Sequence, residues 1–274
     1  MLVLEKCWAK IFGSYQRIEA GTAGEAFYPL TGSPHKRFFH EDFRRKDYIW
    51  NKIKKADSLG QPMATAVYSA ADEDVSKSEV KKLGLVDAHA YSLIAAREIE
   101  DDSGKKVRLI QIRNPWGKKE WQGDWGDKSD KWTEKTKDQV DFKRKNDGTF
   151  WISFEDYVDF FYLTTICYYN KKYEDTFVAD QHDQGGIGMV KLTNPKDHDK
   201  PISFTVDQLN SRFVDEAVGK DYSYPTLSLI LTKLEDGGAK QVFIEADRES
   251  DTHVSFFMNK LAKGEYVLMY SLDF

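Results

Sequence analysis

Residues His89–Asn114, HAYSLIAAREIEDDSGKKVRLIQIRN, decide how this chain is read. Two alternating, β-branched-rich runs flank Asp101-Asp102-Ser103-Gly104, a cluster of turn-formers, so the segment is expected to be a β-hairpin with that tetrapeptide at its tip. The second run, IQIRNPWG, ends by placing an amide side chain, a rigid proline and an indole at one corner. Counting back from the tip brings His89 and Asn114 to the same end of the ribbon. An imidazole held by a side-chain amide is half of a Cys-His-Asn arrangement. In it the histidine takes a thiol proton and later protonates the leaving amine, while the asparagine fixes ring tautomer and orientation. Pro115 stiffens the backbone carrying Asn114, and Trp116 or a neighbour shields the contact from water. On their own the same residues also admit a plain reading: a satisfied strand histidine, and an Asn-Pro turn beside a core tryptophan.

Moving outward, Leu2, Leu4, Cys7, Trp8 and Ile11 recur at helical spacing, predicting an opening helix that closes near Gly13 and looks cut from something larger. A loop rich in glycine and threonine (Gly21, Thr22, Gly24) is expected next, then a helix in DYIWNKIKKADSLG stopped at Gly60 and a strand in PMATAVYSA. Lys118 to Gly148 reads as a charged segment studded with Trp121, Trp125 and Trp132. FWISFEDYVDFF begins as a strand, after which Ser153 suits a helix N-cap with Glu155 and Asp156 in the first turn. Past Tyr169 a polar stretch reads as a linker. Six short runs follow (MVKLT, ISFTVDQ, TLSLILTKL, QVFIEA, THVSFFMNKL, GEYVLMYSL), a pattern that predicts an antiparallel β-sandwich.

Composition narrows the functional classes. Apolar residues at 41% suffice for a real core, and a net charge of −5 with both signs mixed argues against a nucleic-acid partner. The richest apolar run, FFYLTTICYY from Phe160, is about half of what a membrane span needs. The N-terminus lacks the basic flank and long apolar region of a signal peptide. Cys7 and Cys167 are the only cysteines and form no metal-ligand pattern, which fits a reducing, cytoplasmic setting. There is no GxGxxG, no Walker-type loop, no HExxH, no GxSxG and no complete EF-hand loop.

Four segments taken together resemble the calpain family of cysteine proteases. LVDAHAYS (Leu85–Ser92) is similar to the stretch around that family's catalytic histidine, and IRNPWGKKEWQGDWGD (Ile112–Asp127) to the stretch around its catalytic asparagine. NDGTFWISFEDYVDFF (Asn146–Phe161) and LEKCWAKIFGSYQRIEAGTAGEAFYPLTG (Leu4–Gly32) match two further family segments, in order. The β-rich remainder resembles the C2-like sandwich that follows the protease core, most clearly at KGEYVLMYS (Lys263–Ser271). The resemblance implies an α+β fold. The second subdomain of a papain-like protease core, an antiparallel sheet with helices, occupies residues 1–170. A linker spans 171–182, and an incomplete C2-like antiparallel sandwich fills 183–274.

By this resemblance His89 is the general base and acid, Asn114 orients it, and Trp116 is a wall of the site. Ala88 departs from the family, which usually has glycine there; its methyl is expected to tighten the backbone only mildly. The family's nucleophilic cysteine and oxyanion-hole glutamine belong to a first subdomain N-terminal to the residues present. Cys7 and Cys167 are expected to be packing thiols, leaving no nucleophile in this chain. The family's calcium positions fall on Glu120, Asp127 and Asp147, with the carbonyl of Lys145 as a further oxygen. Thr149 departs where a carboxylate is usual, which weakens the expected Ca²⁺ site; the alternative is a solvated acidic loop. Expected partners are protein substrates and a complementary first subdomain, with weak membrane or lipid contact through Lys191, Lys196 and Lys200. Those lysines alternate with Asp197, Asp199 and Asp207, which favours an ordinary solvated surface. The expected activity is calcium-dependent endoproteolysis of intracellular proteins. The rival is a non-catalytic scaffold that binds calcium, lipid or protein.

Overall fold

A computed structural model describes all residues except 1, 42–44, 68–76, 173, 175, 180–185, 214–222, 236–242, 250–251 and 274, and gives backbone alone for 2, 77–79 and 243–249. The chain forms two compact units, Thr22–Tyr173 and a second one built from Met1–Gly21 with Glu174–Phe274. Mixed helices and wholly antiparallel sheets make the fold α+β.

The first unit is organised by the hairpin of β3 (Ala90–Glu100) and β4 (Lys106–Arg113). Its tip lies where the sequence placed it. Asp101 Oδ1 accepts from the backbone N–H groups of Ser103 and Lys105, both at 2.9 Å, and Gly104 takes the positive φ of 81° that closes the turn. β1 (His35–Phe39), β2 (Met63–Val67), β5 (Thr149–Ser153) and β6 (Phe161–Cys167) extend the hairpin to a six-stranded sheet, in the order β1-β6-β2-β3-β4-β5.

One face of the sheet buries Ile49, Trp50 and Ile53 of α3 (Lys46–Ser58) and Phe154, Tyr157 and Val158 of α6 (Phe154–Phe160). Ser153 caps α6 as expected, its Oγ accepting from Asp156 N–H at 3.0 Å. The other face holds a second core of Ala95, Ile99, Leu109, Trp125, Trp132 and Trp151. The charged segment from Lys118 to Gly148 is therefore a folded cover whose tryptophans are core residues: Trp121 is buried in the first cluster, Trp125 and Trp132 in the second. Within it lies α5 (Glu134–Asp138), capped by Thr133.

Strand parity within β3 has a consequence for the site. Beyond the bulge at Ile94, the odd-numbered Ala95 and Ile99 face the tryptophan core. Before it, Tyr91 and Leu93 face the α3/α6 core together with Ile110 and Ile112. One extra residue has moved a whole set of side chains to the opposite face. It brings the His89 end of β3 onto the face that Asn114 continues from β4.

Elsewhere the sequence reading needs correction. The supposed loop at Gly21–Gly24 opens α2 (Ala23–Thr31), with Thr22 and Glu25 forming a reciprocal capping box. β1 and α4 (Lys77–Lys82) were not anticipated. Of the predicted strand PMATAVYSA, residues 68–70 lie outside the described residues.

In the second unit, α1 (Leu2–Phe12) ends before Gly13, as its periodicity predicted. Its buried side is Ala9 and Phe12, with Phe12 4.8 Å from the ring of Phe213, while Leu4 and Ile11 are exposed. The six predicted runs lie on strands, with residues 241–242 of QVFIEA outside the described residues: β7 (Gly186–Asn194), β8 (Ile202–Asp207), β9 (Thr226–Leu234), β10 (Phe243–Glu249), β11 (His253–Met258) and β12 (Gly264–Asp273). A four-stranded sheet, β10-β9-β12-β7, and the pair β11-β8 share a core centred on Leu227, Leu229, Leu231, Phe256 and Tyr266.

A polar chain crosses the first unit's interior. His40 Nδ1 donates to the Phe161 carbonyl, and its Nε2 accepts from Thr164 Oγ1 at 2.8 Å. Tyr157 Oη lies 2.6 Å from that hydroxyl and donates to Thr65 Oγ1 at 3.0 Å. Burial pulls the His40 pKa down to about 4, against the raising effect of the Phe161 carbonyl and with some help from the Lys46 charge. The folded pKa lies below the unfolded value, so this stabilisation is complete above about pH 6.5 and is lost as pH falls toward 4. Denaturant unfolding at pH 7 and pH 4.5 should show wild type losing up to about 3 kcal/mol more than His40→Gln. Equal losses would contradict a neutral buried His40.

Candidate active site

His89 sits just before β3, and its carbonyl accepts from Val67 N–H of the neighbouring β2 at 3.1 Å. Its ring packs edge-on against Tyr91, centroids 4.9 Å apart, and tilted against Trp116 at 4.4 Å. Tyr91 is buried, which pushes its hydroxyl pKa up to about 12, and that hydroxyl accepts from Val86 N–H at 2.8 Å. The loop leading to the imidazole is thus pinned by the residue that also supports its ring. The sequence reading assigned no role to Tyr91; its place two residues along the strand from His89, on the same face, was the available signal.

The corner after β4 is more tightly held. Asn114 is buried, and its backbone N–H donates to the Gly148 carbonyl at 2.8 Å. Its Oδ1 accepts from Trp116 N–H at 3.0 Å, and its Nδ2 donates to the Lys119 carbonyl at 3.2 Å. A donor on one side and an acceptor on the other leave the amide only one orientation. His89 Nε2 lies 3.1 Å from the same Oδ1, so Nε2 must carry the proton and donate it. Nδ1 is then the ring nitrogen with a free lone pair, the atom able to take a proton from an incoming group. Trp116 is 53% exposed and forms an open wall beside the imidazole.

Ala88 adopts φ +46°, the left-handed region that favours glycine. The sequence reading treated its methyl as a mild departure; the backbone shows a strained position next to the imidazole. Gly148 has a firmer requirement. At φ +86°, a Cβ there would lie 2.7 Å from the Asn114 carbonyl oxygen and 2.9 Å from Gly117 Cα.

The three acidic positions surround the same corner. Glu120 is buried and Oε1 accepts from Gly148 N–H at 2.8 Å. Asp127 is buried and Oδ2 accepts from Lys145 N–H at 3.0 Å, while Asp147 Oδ1 accepts from Thr149 N–H at 3.0 Å. Burial raises the Asp127 pKa, and the charges of Glu120 and Asp147 add to that rise against the Lys145 N–H and Arg144. The Thr149 hydroxyl and N–H hold Asp147 below the usual carboxylate range. Among the described residues, no three His, Cys, Asp or Glu side chains gather closely enough to hold a metal ion.

Cys167 is buried with Sγ 3.5 Å from Thr31 Oγ1, and burial pushes its thiol pKa up. It pairs with His35 at one end of β6, whereas Val67, bonded to His89, pairs with Phe161 at the other. Six residues of strand, about 20 Å, separate the two ends. Cys7, expected to be a packing thiol, is instead exposed on α1, where the helix turns Ala9 and Phe12 inward. Lys191 pairs with Glu265 at 3.0 Å, and Lys196 and Lys200 are exposed beside Asp197 and Asp199.

The family described as "Calpain family cysteine protease" matches residues 1–168. Similar proteins include calpain clp-4 of Caenorhabditis elegans, 34% identical over 171 residues, which cover 60% of this chain and 23% of that protein. The calpain-1 catalytic subunit of Bos taurus is 34% identical over 168 residues, with the same shares. Calpain-9 of Rattus norvegicus is 32% identical over 173 residues, covering 60% of this chain and 24% of that protein. The chain spans about a quarter of the length of the curated relatives it matches.

The strain at Ala88 gives a direct check. Ala88→Gly removes the left-handed penalty and adds some unfolded-state entropy, for a net stabilisation of about 0.5–1 kcal/mol. Thermal unfolding should therefore move up by a few degrees; an unchanged or lower midpoint would contradict the positive φ.

Proposed function

The chain belongs to the calpain family of cysteine proteases, and from that premise we propose that it supplies the His/Asn half of a calpain-type, calcium-dependent endopeptidase acting on proteins. The observation that carries this reading is the 3.1 Å bond from His89 Nε2 to an Asn114 amide held in one orientation. In the proposed reaction His89 Nδ1 accepts the proton of a nucleophilic thiol and later gives it to the departing amine. Asn114 keeps the ring in the tautomer that both transfers require, and Trp116 screens one side from water.

The thiol is proposed to come from a first subdomain outside these residues, with residues 1–170 as the second. Cys167 is a poor substitute, since it is buried at the far end of β6 from the strand end that bonds His89. The two sheets of the second unit fit a C2-like sandwich in strand content and in their shared core.

Calcium would be held by Glu120, Asp127, Asp147 and the Lys145 carbonyl. Besides its burial, the repulsion of Asp127 by the Glu120 and Asp147 charges supports a cation there, although the three carboxylates are not drawn together at ligand distances. A bound cation would relieve that repulsion; the proton transfers above do not pass through it. Calorimetric titration with millimolar Ca²⁺ should give binding heat that Asp127→Asn abolishes. Absence of heat in the wild-type chain would remove calcium from the proposal.

The 274-residue chain alone should not cleave casein. A chimera carrying the cysteine-bearing half of a calpain relative ahead of Leu2 should do so, and His89→Ala should lower its turnover by about 10²–10⁴-fold. Thiol-alkylator-sensitive cleavage by the chain alone, or a chimera indifferent to His89→Ala, would overturn the assignment.

A further inference from the structure

Lys119 contacts two of the residues that meet the His89 ring, Asn114 through its backbone and Trp116 through its side chain. Its carbonyl accepts from Asn114 Nδ2 at 3.2 Å, and the backbone adopts φ +65° there, a conformation that disfavours every residue but glycine. Its ammonium lies 5.6 Å from the centroid of the Trp116 ring, within cation–π range. Trp116 in turn sits 4.4 Å from the His89 ring.

The strained backbone and the charged side chain have separable consequences. A glycine at 119 would present the same carbonyl to Asn114 with less strain, so the backbone contact does not depend on lysine. The ammonium contact does. Trp116 is 53% exposed, and among the described residues no hydrogen bond anchors its indole N–H. The indole keeps its place over the imidazole through ring packing and the cation above it. Lys119 takes part in no ion pair among the described residues, and Glu120, next to it in sequence, is turned inward to Gly148 N–H.

We propose that Lys119 is a positioning residue for the site: its carbonyl orients Asn114 and its ammonium holds Trp116 against His89. The proposal rests on the reading of His89 and Asn114 as the working pair and adds the residue that fixes the wall beside them. Lysine supplies both contacts at one position, which a neutral side chain cannot do.

The test uses the full chain and ring-proton resonances of His89, which report the aromatic current of Trp116. Trp116→Ala sets the value for an imidazole without its neighbour. Lys119→Met, which keeps the carbonyl and loses the charge, should move the His89 resonances most of the way to that value. Lys119→Arg should hold them near wild type, and Lys119→Gly should move them as Met does while raising the thermal midpoint. The Asn114 side-chain amide resonances should stay in place in all three. Wild-type-like His89 resonances in Lys119→Met, or an Arg variant displaced as far as Met, would overturn the role of Lys119 and leave the His89–Asn114 reading intact. His89 resonances that do not respond to Trp116→Ala would deny the indole–imidazole contact and overturn the proposal at its base. Loss of the catalytic assignment would instead appear as a chimera indifferent to His89→Ala.

Discussion

The site depends on the orientation of one buried amide. Asn114 Oδ1 faces a backbone donor from Trp116 and Nδ2 faces a backbone acceptor from Lys119. Reversing the amide would set oxygen against oxygen and N–H against N–H, each a buried mismatch costing about 1–3 kcal/mol. The orientation of the amide fixes the proton on His89 Nε2, and that leaves Nδ1 as the base. A chemical role at the imidazole thus follows from two backbone groups several residues away on the same corner.

Getting His89 to that amide requires the sheet to depart from regular alternation. The bulge at Ile94 turns the His89 end of β3 toward the α3/α6 side, where Ile110, Ile112 and Asn114 already face. Gly148 then locks the corner from behind. Its carbonyl accepts from Asn114 N–H while its N–H donates to Glu120, and the backbone there passes too close to Asn114 and Gly117 for any side chain. The acidic loop and the Asn114 corner therefore meet at one residue, Gly148. Losing the Glu120 carboxylate would free the N–H of the residue that holds the Asn114 backbone.

The features legible from sequence were those written in local, periodic signals. Alternation and the Asp101–Gly104 turn gave the hairpin, Ser153 gave the start of α6, and six short alternating runs gave the strands of the second unit. The failures have physical reasons. The capping box of Thr22 and Glu25 lies in a segment whose glycines suggested a loop. Between Lys118 and Gly148 the charges and the three tryptophans were both plain, but not that the tryptophans enter two cores and fold the segment as a cover. Neither the Ile94 bulge nor the positive φ of Ala88 and Lys119 has a local signature, since each is imposed by neighbours distant in sequence. His89, Asn114 and Trp116 could be paired from the hairpin, whereas Tyr91 and Lys119 became visible only once their contacts were known.

The central claim is that the Asn114 amide dictates where the His89 ring carries its proton. The most direct measurement is the long-range proton–nitrogen spectrum of the His89 ring, at a pH where the ring is neutral, in the wild-type chain and in Asn114→Ala. The account predicts a pure Nε2–H tautomer with a bare Nδ1 in wild type, and a mixture once the amide is removed. An Nδ1–H ring in wild type, or a tautomer ratio unchanged by Asn114→Ala, would contradict it.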